Sequence, residues 1–121
     1  MNFSLIIPCY NEEKNIPILL NKYSKFLESN KSELILVDNG SVDGTAKVLK
    51  NINKKNVKIC SIKKNVGYGY GLKKGAMNAK GKVIIFSHAD LEVDPKDITK
   101  AINIYNKQNI INNQKIFIKG N

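Results

Sequence analysis

A chain of 121 residues suffices for one domain with a modest core, and its 42% apolar content is that of a soluble globular protein. No apolar run approaches the about 20 residues of a membrane span, and the opening "NFSLIIPCYNEE" lacks the basic, long apolar and small-residue regions of a signal peptide. A formal charge of +10 raises nucleic acid or an anionic membrane as partners, but all 20 basic residues are Lys and they are spread along the chain; without the bidentate fork of Arg, no nucleic-acid partner is expected.

Asn and Ile are abundant beside Lys, as in an AT-rich coding sequence, which accounts for the charge without a dedicated surface. The two cysteines, Cys9 and Cys60, form neither a C-x-x-C pair nor a zinc spacing. They predict free thiols and a cytoplasmic compartment.

In chain order, "FSLII" (Phe3 to Ile7) predicts a buried strand. Ile16, Leu19, Leu20, Tyr23, Phe26 and Leu27 recur at helical spacing, with Asn15 as the expected N-cap and Pro17 in the first turn. "ELILVD" (Glu33 to Asp38) predicts a second strand, stopped by the turn cluster "NGSVDGT". Asp43 is expected to cap a helix whose inner face is Val48, Leu49 and Ile52. "VKICSI" (Val57 to Ile62) predicts a third strand. A glycine-rich entry leads to a helix from about Tyr68 to Ala79, and "KVIIF" (Lys82 to Phe86) predicts a fourth strand. In "DPKD", Asp94 is an expected cap, Pro95 holds the first helical position and Asp97 complements the helix dipole. Ile98, Ala101, Ile102 and Tyr105 make one face, "NIINNQ" is expected to end the helix, and "KIFIKG" (Lys115 to Gly120) predicts a further strand.

Strands that are apolar nearly throughout, alternating with helices, predict an α/β fold: a Rossmann-like, mainly parallel sheet with helices on both faces. Ligands of such sheets bind beyond the carboxyl ends of the strands. There the chain places Pro8-Cys9-Tyr10-Asn11-Glu12, then Asp38-Asn39-Gly40-Ser41, then His88-Ala89-Asp90.

Together, "IIPCYNEEKNI", "LILVDNGSVDGT" and "NVGYGYGLKKGAMNAKGKVIIFSHADLEVDP" resemble the family 2 glycosyltransferases of GT-A fold. They correspond to the family's P-x-Y-N-E opening, its V-D-[DN]-G-S-x-D-G-T turn, its glycine segment and its D-x-D strand end. The match runs along the whole chain in order, and the branch most similar is that of the polyprenyl-phosphate sugar transferases. The resemblance implies a nucleotide-diphosphate sugar donor, UDP- or GDP-linked, and Mg²⁺ or Mn²⁺. It also implies an acceptor that is a lipid phosphate or glycan, reached at a membrane surface. By position, Pro8, Tyr10 and Glu12 match the cluster around the nucleoside, and Asp38 the carboxylate that accepts from the base. Ala89 matches the small residue where backbone approaches ribose and diphosphate, and Asp90 the metal-binding carboxylate.

The chemistry of these residue types supports the same roles. A planar base takes an aromatic or proline face and an edge acceptor, and a diphosphate leaving group needs its charge neutralised by a hard cation on oxygen ligands. Each residue also has a plain structural reading. Pro8 and Tyr10 suit a turn and a packed aromatic, Glu12 a helix start, Asp38 an Asx-turn, and Asp90 a strand end.

"GYGYGLKKG" fails the G-x-G-x-x-G test, because the third position holds Leu72 counted from Gly67 and Lys74 counted from Gly69. Its glycines are expected to permit a tight turn and close helix packing. Lys73 matches the family's basic position and is open to a diphosphate contact or to plain solvation. His88, the only histidine, stands where many relatives carry the first Asp of D-x-D. It is open to ribose hydrogen bonding, to coordination favouring Mn²⁺, or to a local backbone bond. The general base for a hydroxyl acceptor is expected beyond Asn121. Residues 1–121 thus make one family 2-like domain, expected to be truncated at its C-terminal end, with a donor-binding half inactive on its own as the alternative.

Overall fold

The apolar runs nearest the N-terminus become the centre of the sheet. In the computed structural model, which describes residues 2–112, β1 (Phe3–Cys9) and β2 (Glu33–Asn39) are buried along their whole lengths. β3 (Val57–Ile62) lies outside β2, and β4 (Val83–Phe86) lies on the other side of β1, giving the order β3-β2-β1-β4 with every pairing parallel. Two strands covered on both faces have no solvent side, so their sequences run apolar without alternation.

Strand alternation divides the core into two layers. Leu5, Ile7 and Cys9 of β1 face α1 (Asn15–Asn30), α2 (Thr45–Lys50) and α4 (Pro95–Asn112), packing with Leu19, Tyr23, Phe26, Leu49, Ile98 and Ile102. Ile6, Ile35, Val37 and Cys60 face the opposite way, against Leu72 and Ala76 of α3 (Tyr68–Met77). α3 approaches closely because Gly75 has no side chain: a Cβ there would collide with Ile6 Cγ2 and lie 3.1 Å from Val37 Cγ2.

The helix ends depart from expectation in instructive ways. The N-cap of α1 is Lys14, without a side-chain cap, and Asn15 is the first helical residue. The carbonyl of Glu12 accepts the N–H groups of Asn15 and Ile16, so backbone serves where a side chain was expected. The N-cap of α2 is Gly44 rather than Asp43, which stands one residue outside the helix, its Oδ1 accepting from the Thr45 amide at 2.9 Å and the Thr45 hydroxyl at 2.6 Å. Asp94 Oδ1 likewise accepts from Lys96 N at 2.8 Å. α3 ends at Met77, two residues before the predicted Ala79, which still packs under the helix. α4 continues to Asn112, through the start of "NIINNQ", because asparagine carries only a mild helix penalty. The strand predicted at Lys115 to Gly120 lies outside the described residues.

One buried polar cluster ties the amino ends of the strands together. Glu33 is 3% exposed and accepts from Ser4 Oγ and Lys80 N, each at 2.6 Å, with Lys58 Nζ 3.4 Å from its other oxygen. Burial pushes its pKa up, but the hydrogen bonds from Ser4 and Lys80 and the Lys58 charge outweigh burial and hold it below the ordinary glutamate value.

Candidate functional site

From β1 the chain winds outward to β2 and β3, then returns to place β4 on the far side of β1. The loops after β1 and β4 therefore diverge, and a crevice opens between them at the carboxyl ends of the strands. A cavity of about 180 Å³ lies there. Pro8, Cys9, Tyr10 and Glu12 line it from β1, Asn39 from β2, Tyr68 from the start of α3, and His88, Ala89 and Asp90 from the end of β4.

The loops that carry these residues are braced against one another. Asn11 adopts φ 53°, donates its N–H to Ser41 Oγ at 3.1 Å and accepts from Val42 N at 3.0 Å. Glu12 N donates to Thr45 Oγ1 at 2.9 Å, and Glu12 Oε2 accepts from Asn15 Nδ2 at 2.8 Å. Gly40, at φ 72°, lets the β2 turn lie directly on the backbone of Lys64 and Asn65, where a Cβ would collide. After β4, Leu91 is held at φ 66° while its carbonyl accepts from Lys22 Nζ at 3.3 Å. Asp90 Oδ1 accepts from Glu92 N at 3.2 Å, so one carboxylate oxygen steadies the turn while the residue stays exposed.

Six of the seven residues expected at the site line the cavity: Pro8, Tyr10, Glu12, His88, Ala89 and Asp90. Asp38 does not. It is 5% exposed, and its Oδ1 accepts from Ser41 N at 3.0 Å, the Asx-turn arrangement. The reason is parity. Asp38 follows Leu34 and Leu36 on the α1 face, whereas Asn39 follows Ile35 and Val37 on the α3 face and reaches the cavity.

Cys9, Asn39 and Tyr68 are the lining residues not expected from the sequence. Asn39 is 4% exposed; its Nδ2 donates to Gly67 O at 3.4 Å, and its Oδ1 is buried with no hydrogen-bond partner. Its amide lies against Gly71, where a Cβ would sit at contact distance, 3.4 Å from the Asn39 amide carbon. The ring of Tyr68 stacks on His88, with centroids 5.7 Å apart and planes inclined by 13°, and its hydroxyl lies 3.5 Å from His88 Nδ1. Burial and then the Asp90 charge raise the Tyr68 pKa. The signals were "VDNGS", where the neighbouring carboxylate took the attention, and "GYGYG", read for its glycines.

Cys9 also lines the cavity, but burial, then the charges of Glu12 and Asp38, push its thiol up to about 12. At neutral pH it is a protonated, apolar wall rather than a nucleophile.

Among the described residues no three His, Cys, Asp or Glu side chains converge as a metal cage. Of the two carboxylates lining the cavity, Glu12 is already bonded to Asn15 Nδ2, which leaves Asp90, with His88 two residues before it, as the candidate ligand. One carboxylate with at most one imidazole fits a Mg²⁺ or Mn²⁺ ion that draws its other ligands from phosphate and water, and does not fit a structural metal.

Three comparisons with known proteins bear on this arrangement. The chain is 33% identical over 115 residues to dolichyl-phosphate beta-glucosyltransferase of Dictyostelium discoideum, covering 86% of this chain and 35% of that protein. It is 36% identical over 104 residues to undecaprenyl-phosphate 4-deoxy-4-formamido-L-arabinose transferase of Proteus mirabilis, covering 82% of this chain and 32% of that protein. It spans about a third of the length of these relatives. The mannosyltransferase PcManGT of Pyrobaculum calidifontis, solved in complex with GDP-Man and Mn²⁺, shares the fold. Its TM-score is 0.72 at 21% identity, covering 84% of this chain and 31% of that one. Residues 4–119 match the model of Glycosyl transferase family 2, so nearly the whole chain carries the family's pattern, and the chain belongs to that family.

Proposed function

We propose that the chain supplies the donor-binding part of a metal-assisted glycosyltransferase that moves a sugar from a UDP- or GDP-sugar to a lipid-phosphate or glycan acceptor. The observation that carries this reading is the meeting of Pro8, Tyr10 and Glu12 with His88, Ala89 and Asp90 in one cleft at the switch point of the sheet. The acceptor class follows the names of the Dictyostelium and Proteus relatives, and the metal follows the Mn²⁺ complex of the Pyrobaculum structure.

The cavity of about 180 Å³ is smaller than the roughly 300 Å³ at which pockets for drug-sized ligands begin. It suits the nucleoside end of the donor, leaving diphosphate and sugar to extend past the β4 end. Pro8 and Tyr10 present apolar faces to the base. Asn39, rather than Asp38, meets its edge: the buried Oδ1 is an acceptor waiting for an N–H. Uracil at N3 and guanine at N1 both provide one; adenine and cytosine carry no ring N–H on that edge. Ala89, 5% exposed, leaves no side chain between backbone and diphosphate.

Asp90 would hold a divalent cation, which when bound would supply charge neutralisation to the leaving diphosphate. In the transfer, an acceptor oxygen forms the new bond to the anomeric carbon while the bond from that carbon to the diphosphate oxygen breaks, and the electron pair departs with the nucleoside diphosphate. A phosphate acceptor arrives already anionic and needs no strong base; a hydroxyl acceptor does. We place the chain at the cytoplasmic membrane face through its lipid-phosphate acceptor; no helix among the described residues is long and apolar enough to cross a membrane.

The test is transfer of radiolabelled sugar from UDP- or GDP-sugars into a lipid extract, with and without Mn²⁺. Metal-dependent label in the lipid phase supports the reading. Donor binding with no transfer supports the inactive half-domain instead.

A further inference from the structure

The lysines are spread along the chain, but the carboxylates are not. Between Asp43 and Asp90 there are eleven lysines and no Asp or Glu. Coding bias toward Lys explains abundance, not the removal of every acid from one continuous stretch. The fold gathers much of this stretch on one flank, since β3 is the edge strand and α2 packs on β2 and β3, while α3 lies across β1 and β2 on the opposite face. Lys47 and Lys50 project from α2, Lys54 and Lys55 from the loop into β3, and Lys63 and Lys64 from the loop out of it. All six are exposed, and among the described residues only Lys58 and Lys100 form ion pairs.

From this flank we infer a docking surface for an anionic lipid bilayer. Lysine on an edge strand can serve merely to block strand addition. That accounts for Lys58, which lies within β3, but not for six lysines on the helix and loops around it. The absence of Arg disfavours nucleic acid, whose phosphates are gripped by bidentate forks, and suits a bilayer, where charge density near the surface is enough. A second feature agrees. A cavity of about 340 Å³ lies between α1 and the loop into β3, with Leu20, Leu27 and Val57 inside, Lys54 and Lys55 at its rim, and Glu28 on the α1 side. Apolar surface beside ammonium groups matches the layered chemistry of a headgroup region and has no counterpart on a phosphate backbone. Lys63 and Lys64 leave β3 at the same end of the sheet as the donor cleft, so docking would hold the cleft beside the bilayer that carries a lipid-phosphate acceptor. The inference rests on the proposed function only for that acceptor. Its readout is binding without nucleotide, so its failure leaves the donor reading standing.

The experiment is cosedimentation of the chain with phosphatidylcholine vesicles, with and without phosphatidylglycerol, at low and high salt. The expected result is binding that requires phosphatidylglycerol and is lost at high salt. A lysine near an anionic surface contributes about fivefold in partitioning. Changing Lys54, Lys55, Lys63 and Lys64 together to Gln should therefore weaken binding by several hundredfold. The same charge change at Lys25, Lys96, Lys100 and Lys107, on α1 and α4, should weaken it by less than about tenfold. Should the fourfold flank variant fail to fold by circular dichroism, the pairs Lys54→Gln/Lys55→Gln and Lys63→Gln/Lys64→Gln carry the comparison, each with an expected loss of about twentyfold or more. Equal losses from flank and control variants, equal binding to neutral vesicles, or displacement of the vesicles by duplex RNA of matched phosphate concentration would each overturn the inference.

Discussion

Replacing Asn39 with Leu removes the one polar group in the cavity wall that the fold leaves unsatisfied. Its Oδ1 is buried without a partner, and its Nδ2 reaches Gly67 O only at 3.4 Å, a weak contact. An unsatisfied buried acceptor costs about 1–3 kcal/mol. Leu keeps the branched shape and heavy-atom count, removes the unpaired acceptor and leaves the exposed Gly67 carbonyl to water, so the ligand-free chain should keep its stability or gain about 1 kcal/mol. For a domain of this size, 1 kcal/mol moves Tm by about 4 °C. Nucleotide binding should move the other way. An N–H of uracil or guanine that fills the vacant acceptor recovers about 1–3 kcal/mol, so its loss should raise the Kd for UDP or GDP by roughly tenfold to a hundredfold. Thermal unfolding without ligand, paired with calorimetric titration of the nucleoside diphosphate, reads both signs. If Asn39→Leu lowers Tm by several degrees and leaves Kd unchanged, the amide is structural and the base is read elsewhere.

Asp90→Ala should abolish the Mn²⁺ dependence of UDP or GDP binding in a fluorescent-nucleotide displacement assay, while His88→Ala should weaken binding about tenfold and leave the dependence in place; equal loss from both would make His88 a metal ligand. Gly75→Val should destabilise the chain by about 3 kcal/mol, because its side chain must enter space held by Ile6 and Val37, and urea unfolding at neutral pH measures it. Glu33→Gln should cost about 1–3 kcal/mol at neutral pH by weakening the bonds from Ser4, Lys80 and Lys58. Because the native pKa of Glu33 is lowered, its charge supplies full stability above the ordinary glutamate value and none once pH has fallen through the native one. Unfolding curves of the parent and Glu33→Gln should therefore converge in that acid window, and a gap that stays constant to low pH would show that the charge contributes nothing.

Much of the fold was legible because burial on both faces writes strands as apolar runs: β1, β2, β3 and β4 all fall on the segments predicted for them. The site was legible at the level of segments for the same reason, since a parallel sheet dictates that chemistry follows its strand ends. What the sequence left open was decided at single-residue resolution. Whether Asp38 or Asn39 enters the cleft depends on strand parity against α3, and the "VDN" letters do not carry it. Tyr68 meets His88 only through a contact between elements twenty residues apart. The entry of α1 was misplaced by one residue because a backbone carbonyl, which has no letter of its own, does the capping. Of the glycines read as packing devices, Gly75 is one, whereas a Cβ at Gly71 would make only ordinary contacts and one at Gly67 or Gly69 would meet nothing.

In the proposed function, the cleft after β1 and β4 binds a nucleoside diphosphate with the help of a divalent cation held by Asp90. Calorimetric titration of the chain with UDP, GDP and NAD, each with and without Mn²⁺, tests it most directly. UDP or GDP should bind, Mn²⁺ should tighten the binding, and NAD should not bind. Binding of NAD with no response to either nucleoside diphosphate would contradict it.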